Sequence, residues 1–111
     1  MNEKVASLWA ETLRSGEFKQ TMGALQTISG YCCLGVLCEV AILNGVGVKR
    51  DRQGMLIGCD LEGQKKVMKW AGIKTPHGFR GPLTDSLMGL NDDGKSFKQI
   101  AYTIQRNWRV L

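Results

Sequence analysis

Residues 31–45 read YCCLGVLCEVAILNG, and the fold depends on whether this stretch is a strand or a helix. From Tyr31 to Leu43 the only charged residue is Glu39. A buried strand is usually four to eight residues, so an apolar run of this length fits a helix better. A helix that is apolar nearly all round belongs at the centre of a small domain, because no face of it can be left in water. Asn44-Gly45 supplies the closing signal, since glycine accepts the left-handed conformation that ends helices.

The flanking segments carry the amphipathic patterns that could cover such a rod. Before it, Val5, Leu8, Trp9, Thr12 and Leu13 recur at the spacing of a helix face and predict a first helix ending at Ser15-Gly16. Phe18, Gln20 and Met22 then alternate with Lys19, Thr21 and Gly23, which suits a short strand or an extended loop. After the rod, VGVKRDRQGMLIG (46–58) places two β-prone segments around RDRQG and predicts a small, exposed hairpin. Asp60 is placed to cap a helix carrying Leu61, Val67, Met68, Trp70 and Ala71, with Gly72 at its end. KTPHGFRGP (74–82) is a loop by its Pro and Gly content.

Thr84 or Asp85 can start a helix through Leu87 and Leu90, and Asn91–Lys95 reads as a turn. Ser96 followed three residues later by Gln99 has capping-box spacing for a last helix. Its core stripe is Phe97, Ile100, Ala101, Ile104 and Trp108. The expected fold class is mainly α (α+β): one compact helical domain, residues 1–111, around a buried central helix, with one small β-hairpin.

Composition narrows the function classes. Of the 111 residues, 43% are hydrophobic and 23% charged, which suits a globular domain and not a disordered chain. The net charge is +5. Residues 1–45 hold three bases against four acids, so the remainder holds about +6, and after Asp93 there are four bases and no acid. Such an end favours an anionic partner. The first residues, MNEKVASLWAETLR, carry early acids and no apolar signal core, so no secretory leader is expected. The longest apolar run is too short to span a membrane. The four cysteines are therefore expected to be reduced thiols in a cytosolic protein.

Several chemical motifs can be tested on paper. GLNDDGKS (89–96) satisfies the letters of a phosphate loop, G-x-x-x-x-G-K-S. Such a loop must follow a buried strand in a parallel sheet; here the preceding residues look helical and Asp92 and Asp93 would repel a triphosphate. The Ile100-Ala101 segment suggests a helix-turn-helix, but no recognition helix is expected after it. Cys32, Cys33, Cys38 and Cys59 lack the C-x2-C spacing of a zinc knuckle, and Cys32 and Cys33 point about 100° apart on a helix. His77 alone in a loop is a poor general base. The chain is not expected to be an enzyme, and no cofactor or metal is expected.

Binding remains. Gln20 and Thr21 sit in the irregular stretch before the central helix. Tyr31 and Cys32 stand at that helix's expected start, where unpaired amides favour anions. Asn91, Asp92, Lys95 and Ser96 stand at the entrance to the last helix. Convergence of the two entrances would form a pocket for a phosphate or nucleotide.

Four blocks taken together, LRSGEFKQTMGAL (13–25) after Trp9, YCCLGVLCEVA (31–41), VMKWAGI (67–73) and LMGLNDDGKSFKQIAYTIQRNW (87–108), resemble a family of small proteins of unknown function encoded mainly by tailed bacteriophages and prophages. The resemblance runs from Trp9 to Trp108. The connector ALQTISGYCC (24–33) departs from the family pattern and could reshape a pocket near Tyr31. The resemblance carries over no catalytic residue. It implies a phage accessory protein in the host cytoplasm that counters host defence by binding. The expected partner is an anionic small molecule, a nucleotide-type immune signal, held by the residues above. The alternatives are a bacterial host defence protein that it inhibits, or nucleic acid bound without sequence preference. No membrane partner is expected, and a homo-oligomer is compatible with the sequence.

Overall fold

In the computed structural model, which describes residues 1–82 and 84–111, the central apolar run is a helix, α2 (Cys33–Leu43). Cys33, Leu34, Gly35, Val36, Leu37, Cys38, Val40 and Ala41 are all buried, and only Glu39, Ile42 and Leu43 reach outward. The Asn44 side chain closes it by donating to the Val40 carbonyl at 2.8 Å.

α1 (Glu3–Arg14) starts at Asn2, whose Oδ1 accepts from the Val5 amide at 3.0 Å. It buries Val5, Ala6, Trp9, Ala10 and Leu13. Leu8, placed on the apolar stripe by spacing, is instead 41% exposed; the small Ala6 and Ala10 take the inward positions. The Trp9 indole donates to the Cys33 carbonyl at 2.8 Å, tying α1 to α2.

The chain then runs extended. Gln20 bridges Tyr31 in parallel, and β1 (Gln26–Thr27) pairs antiparallel with β2 (Gly30–Tyr31). This two-stranded hairpin therefore precedes α2 instead of following it. Tyr31 belongs to β2, and its ring meets that of Phe18 edge-on, with centroids 5.1 Å apart.

Residues 46–58, where a hairpin was expected, make a turn with one isolated bridge, Arg50 to Leu56. The pairing stops because side chains take the ladder positions. Asp51 Oδ1 accepts from Gln53 and Met55 at 2.9 and 3.0 Å, Gln26 Oε1 takes the Leu56 amide at 2.9 Å, and the buried Gln64 pairs both ways with the backbone of Lys49.

Asp60 caps a single 3-10 turn, Leu61–Gly63, by accepting from Glu62 at 2.8 Å. α3 (Lys65–Ala71) follows. α4 (Leu87–Asp92) starts one residue later than expected: Ser86, and neither Thr84 nor Asp85, accepts from the Gly89 amide at 3.0 Å. Asn91 and Asp92 thus close α4, and the turn proper is Asp93–Lys95, where Gly94 has φ of 89°. α5 (Phe97–Asn107) opens with the expected capping box: Ser96 Oγ accepts from Gln99 N at 3.2 Å and Gln99 Oε1 from Ser96 N at 2.9 Å.

α1, α3 and α4 pack on α2, and α1 packs most extensively on α5. The radius of gyration is 12.4 Å, close to the value of about 13 Å for a single domain of this length. No helix among the described residues is long and apolar enough to cross a membrane.

Candidate functional site

The two helix entrances do converge, on a knot of hydrogen bonds centred on Asn91. This side chain is fully buried. Its Oδ1 accepts from the Cys33 amide at 3.1 Å and from Gln20 Nε2 at 2.9 Å, and its Nδ2 donates to the Thr21 carbonyl at 2.8 Å. Cys32, the residue before α2, gives no side-chain cap. Asn91 supplies one from 58 residues away, because a buried helix start must have its amides satisfied.

Gln20 performs the matching task for α5. Its Oε1 accepts from Phe97 N at 3.0 Å, and its Nε2 also donates to the Lys95 carbonyl at 2.7 Å. Asp92 Oδ1 receives the Gly23 amide at 3.4 Å, and Thr21 Oγ1 accepts from Thr27 Oγ1 at 3.2 Å.

Gln20, Thr21, Asn91 and the backbone of Lys95 therefore meet at one point, with Asp92 and Ser96 on its flanks. Tyr31 joins through its backbone alone, since Thr21 N donates to its carbonyl at 2.7 Å. Its hydroxyl instead donates to Glu39 at 3.1 Å, and Arg50 lies 3.6 Å from the same carboxylate. Partial burial, and then Glu39, raise the Tyr31 pKa. Cys32 donates its amide to the Leu25 carbonyl at 3.1 Å, and its thiol is buried.

The Cys33 amide of α2 and the Phe97 and Gln99 amides of α5 are thus bonded within the chain, and burial, with a smaller contribution from the Asp92 carboxylate, raises the Cys32 and Cys33 pKa values at the start of α2. The phosphate-loop letters acquire the same structural account. Gly89 lies inside α4, Gly94 forms the turn, and the Ser96 hydroxyl is engaged in the helix cap.

Open space lies on the far side of Lys95. A groove of about 440 Å³ is lined by Arg80, Leu90, Lys95, Lys98, Gln99 and Tyr102, with Thr103 at its edge. The knot bears on this groove directly: by holding the Lys95 carbonyl and the Phe97 amide, Gln20 fixes where α5 begins and so where Lys95, Lys98 and Tyr102 project. Among the described residues the ion pairs are Arg50–Glu39, Lys65–Glu62 and His77–Asp60. Arg80, Lys95 and Lys98 take part in none of them. Arg80 donates to the backbone carbonyl of Asp85 at 3.1 Å, and the Asp85 side chain raises the Asp93 pKa, first through a hydrogen bond and then through its charge.

Arg80, Lys98 and Tyr102 were not among the residues singled out in the sequence. The acid-free tail after Asp93 was a usable signal for Lys98. Arg80 stands in a Gly- and Pro-rich loop whose course no local pattern predicts, and the part that Tyr102 plays depends on where α5 lies.

Three of the four thiols are buried, and Cys59 is exposed. Burial pushes the Cys32 thiol up to about 11 and the Cys38 thiol to about 12, and raises that of Cys33 as well, so these groups stay protonated and weakly nucleophilic. His77, a poor general base by its isolation in a loop, is exposed and lies 3.1 Å from Asp60; among the described residues no thiol or hydroxyl is hydrogen-bonded to its ring. No three His, Cys, Asp or Glu side chains among the described residues are grouped to hold a metal ion.

The chain belongs to a family described as a domain of unknown function, DUF8296, whose profile matches residues 1–108. No curated protein and no solved structure matches it.

Proposed function

We propose that this DUF8296 protein is a phage accessory protein that acts in the host cytoplasm and counters host defence by binding, sequestering a nucleotide-type signal in the groove beside α5. The observation that supports this is the meeting of three cations outside the ion pairs, Arg80, Lys95 and Lys98, with the ring of Tyr102 and the apolar Leu90. A nucleotide needs charge-assisted donors for its phosphate and a flat surface for its base, and the groove offers both. Its volume lies within the usual range of about 300–1,000 Å³ for small-molecule sites. A binding role also suits side chains that are either buried as neutral thiols or already engaged in hydrogen bonds.

Isothermal titration against cyclic oligonucleotides and ADP-ribose derivatives tests this reading. Binding in the micromolar range that is lost in Lys95→Glu/Lys98→Glu is expected; absence of heat across the panel removes the proposal.

A second reading, inhibition of a host defence protein, is favoured by a different feature. Ile28 at the tip of the β1–β2 hairpin is 99% exposed, and nearby in sequence Met22 is 56% exposed. Exposed apolar side chains can anchor a protein interface in a pocket of the partner. Affinity capture from host lysate separates the two readings: a signal-binding protein retains no host protein stoichiometrically, whereas an inhibitor retains one and loses it in Ile28→Asp.

A further inference from the structure

The groove does not end the positive surface. Lys98, Tyr102 and Arg106 follow one another at intervals of four residues within α5, which places them along a single side of it; Lys95 lies in the turn before the helix and Arg109 in the turn after it, with its guanidinium over the Trp108 ring, 4.6 Å from the centroid. Lys95, Lys98, Tyr102, Arg106 and Arg109 are all exposed. The opposite side carries the buried Phe97, Ile100, Ala101 and Ile104, so the stripe faces away from the core. Between Lys98 and Arg106 it covers about 12 Å at 1.5 Å per residue. Lys74 Nζ, 3.4 Å from the Arg109 carbonyl, adds a further cation at its far end. Residues 94–111 contain no acid.

One aromatic ring sits within this row of charge. Tyr102 is 58% exposed, and the Arg106 guanidinium lies over it, 5.5 Å from the ring centroid. A mononucleotide would use only the groove end and would leave Arg106 and Arg109, which stack on Tyr102 and Trp108, without an anionic partner. Spaced cations interleaved with an exposed aromatic ring are the elements by which proteins hold unpaired bases on a phosphodiester backbone.

We infer that the stripe on α5 is a seat for single-stranded nucleic acid, with phosphates along Lys95, Lys98, Arg106 and Arg109 and a base on Tyr102. This rests on the reading of the groove as an anion site and extends it to a polymeric ligand. A duplex is disfavoured because its bases are already stacked on one another and cannot occupy the ring.

Fluorescence anisotropy with labelled oligothymidylates of about 4, 8 and 16 nucleotides, a range that spans common site sizes, provides the test. A duplex and poly-glutamate serve as competitors, and a mononucleotide is titrated separately. Affinity should rise with length and fall with salt, with a log–log slope of about −2 to −3 for three or four phosphates. Arg106→Glu/Arg109→Glu should weaken the longest strand at least about tenfold and weaken the mononucleotide far less. Tyr102→Ala should weaken the strand at least about fivefold. Affinity independent of length, or unchanged in Arg106→Glu/Arg109→Glu while the mononucleotide still binds, overturns this inference and leaves the groove reading standing. Absence of binding of the mononucleotide and the strand alike by the wild-type protein overturns both. Competition by poly-glutamate as strong as by the strand also overturns the nucleic-acid assignment, in favour of an acidic protein surface.

Discussion

Asn91 shows how one side chain can join three parts of a fold. With Gln64 it is one of two buried polar side chains among the described residues, and its hydrogen bonds tie α4 to two other segments: the start of α2 and the extended stretch at Gln20 and Thr21. Truncation would leave the Cys33 amide buried without a partner, which costs more than the loss of an ordinary exposed hydrogen bond. Asn91→Ala should therefore destabilise the protein by about 3 kcal/mol, whereas Gln20→Ala, whose partners are partly exposed, should cost about 1 kcal/mol. Urea unfolding of both variants checks this, and a loss below about 1 kcal/mol for Asn91→Ala would mean that the knot does not hold α2. Gln20 and Thr21 stood out in the sequence as polar residues in an irregular stretch before the central helix, and Asn91 as a residue at the entrance to the last helix. Their use in the knot could not be read there, since the bonds that join Gln20, Thr21 and Cys33 to Asn91 and Phe97 span 58 to 77 residues and local patterns carry no information at that range.

Elements with a strong period or a local stop signal were legible in the sequence. α1, α2 and α5 combine a hydrophobic pattern with a cap or a closing glycine, and they lie close to where the pattern puts them. The hairpin did not, because β-prone residues state a preference and not a partner. The 46–58 segment has the right residues, but Asp51, Gln26 and Gln64 satisfy its backbone, while the true strands, QT and GY, are too short to show alternation. Gly35 reveals what keeps this region against α2. A methyl group there would overlap the Leu25 carbonyl, so the extended chain before the hairpin lies directly on the helix backbone. Gly35→Ala should raise helix propensity and still destabilise by about 2–3 kcal/mol, because backbone cannot rotate out of the way as a side chain can. Thermal unfolding by circular dichroism measures it; an unchanged or higher Tm would show that the contact yields easily.

At the scale of the whole molecule, the three buried thiols tie stability to pH. Their pKa values are raised above the ordinary 9.0 by burial, to about 11 for Cys32 and about 12 for Cys38. Above pH of about 9 the unfolded chain releases these protons and the folded chain keeps them, so the folded state binds more protons and loses stability as pH rises. The contribution is complete below that pH and is withdrawn between about 9 and 12. Urea midpoints at pH 8 and pH 10.5 should show a clear fall at the higher value, reduced in Cys38→Ala relative to the wild type, and equal midpoints would contradict the burial of these thiols.

The same separation of parts organises the surface. The neutral core lies around α2, and the charge accumulates on the exposed side of α5, where the sequence has no acid after Asp93. The charge asymmetry was visible in the sequence, but the groove was not, because it needs Arg80 from a distant loop. The most direct test of the anion site is a residue-resolved NMR titration with a cyclic dinucleotide. Amide shifts should concentrate at Arg80, Lys95, Lys98, Gln99, Tyr102 and Thr103 and be absent in Lys95→Glu/Lys98→Glu. A saturable shift pattern elsewhere on the protein, or no shift at millimolar ligand, would contradict the assignment of the groove.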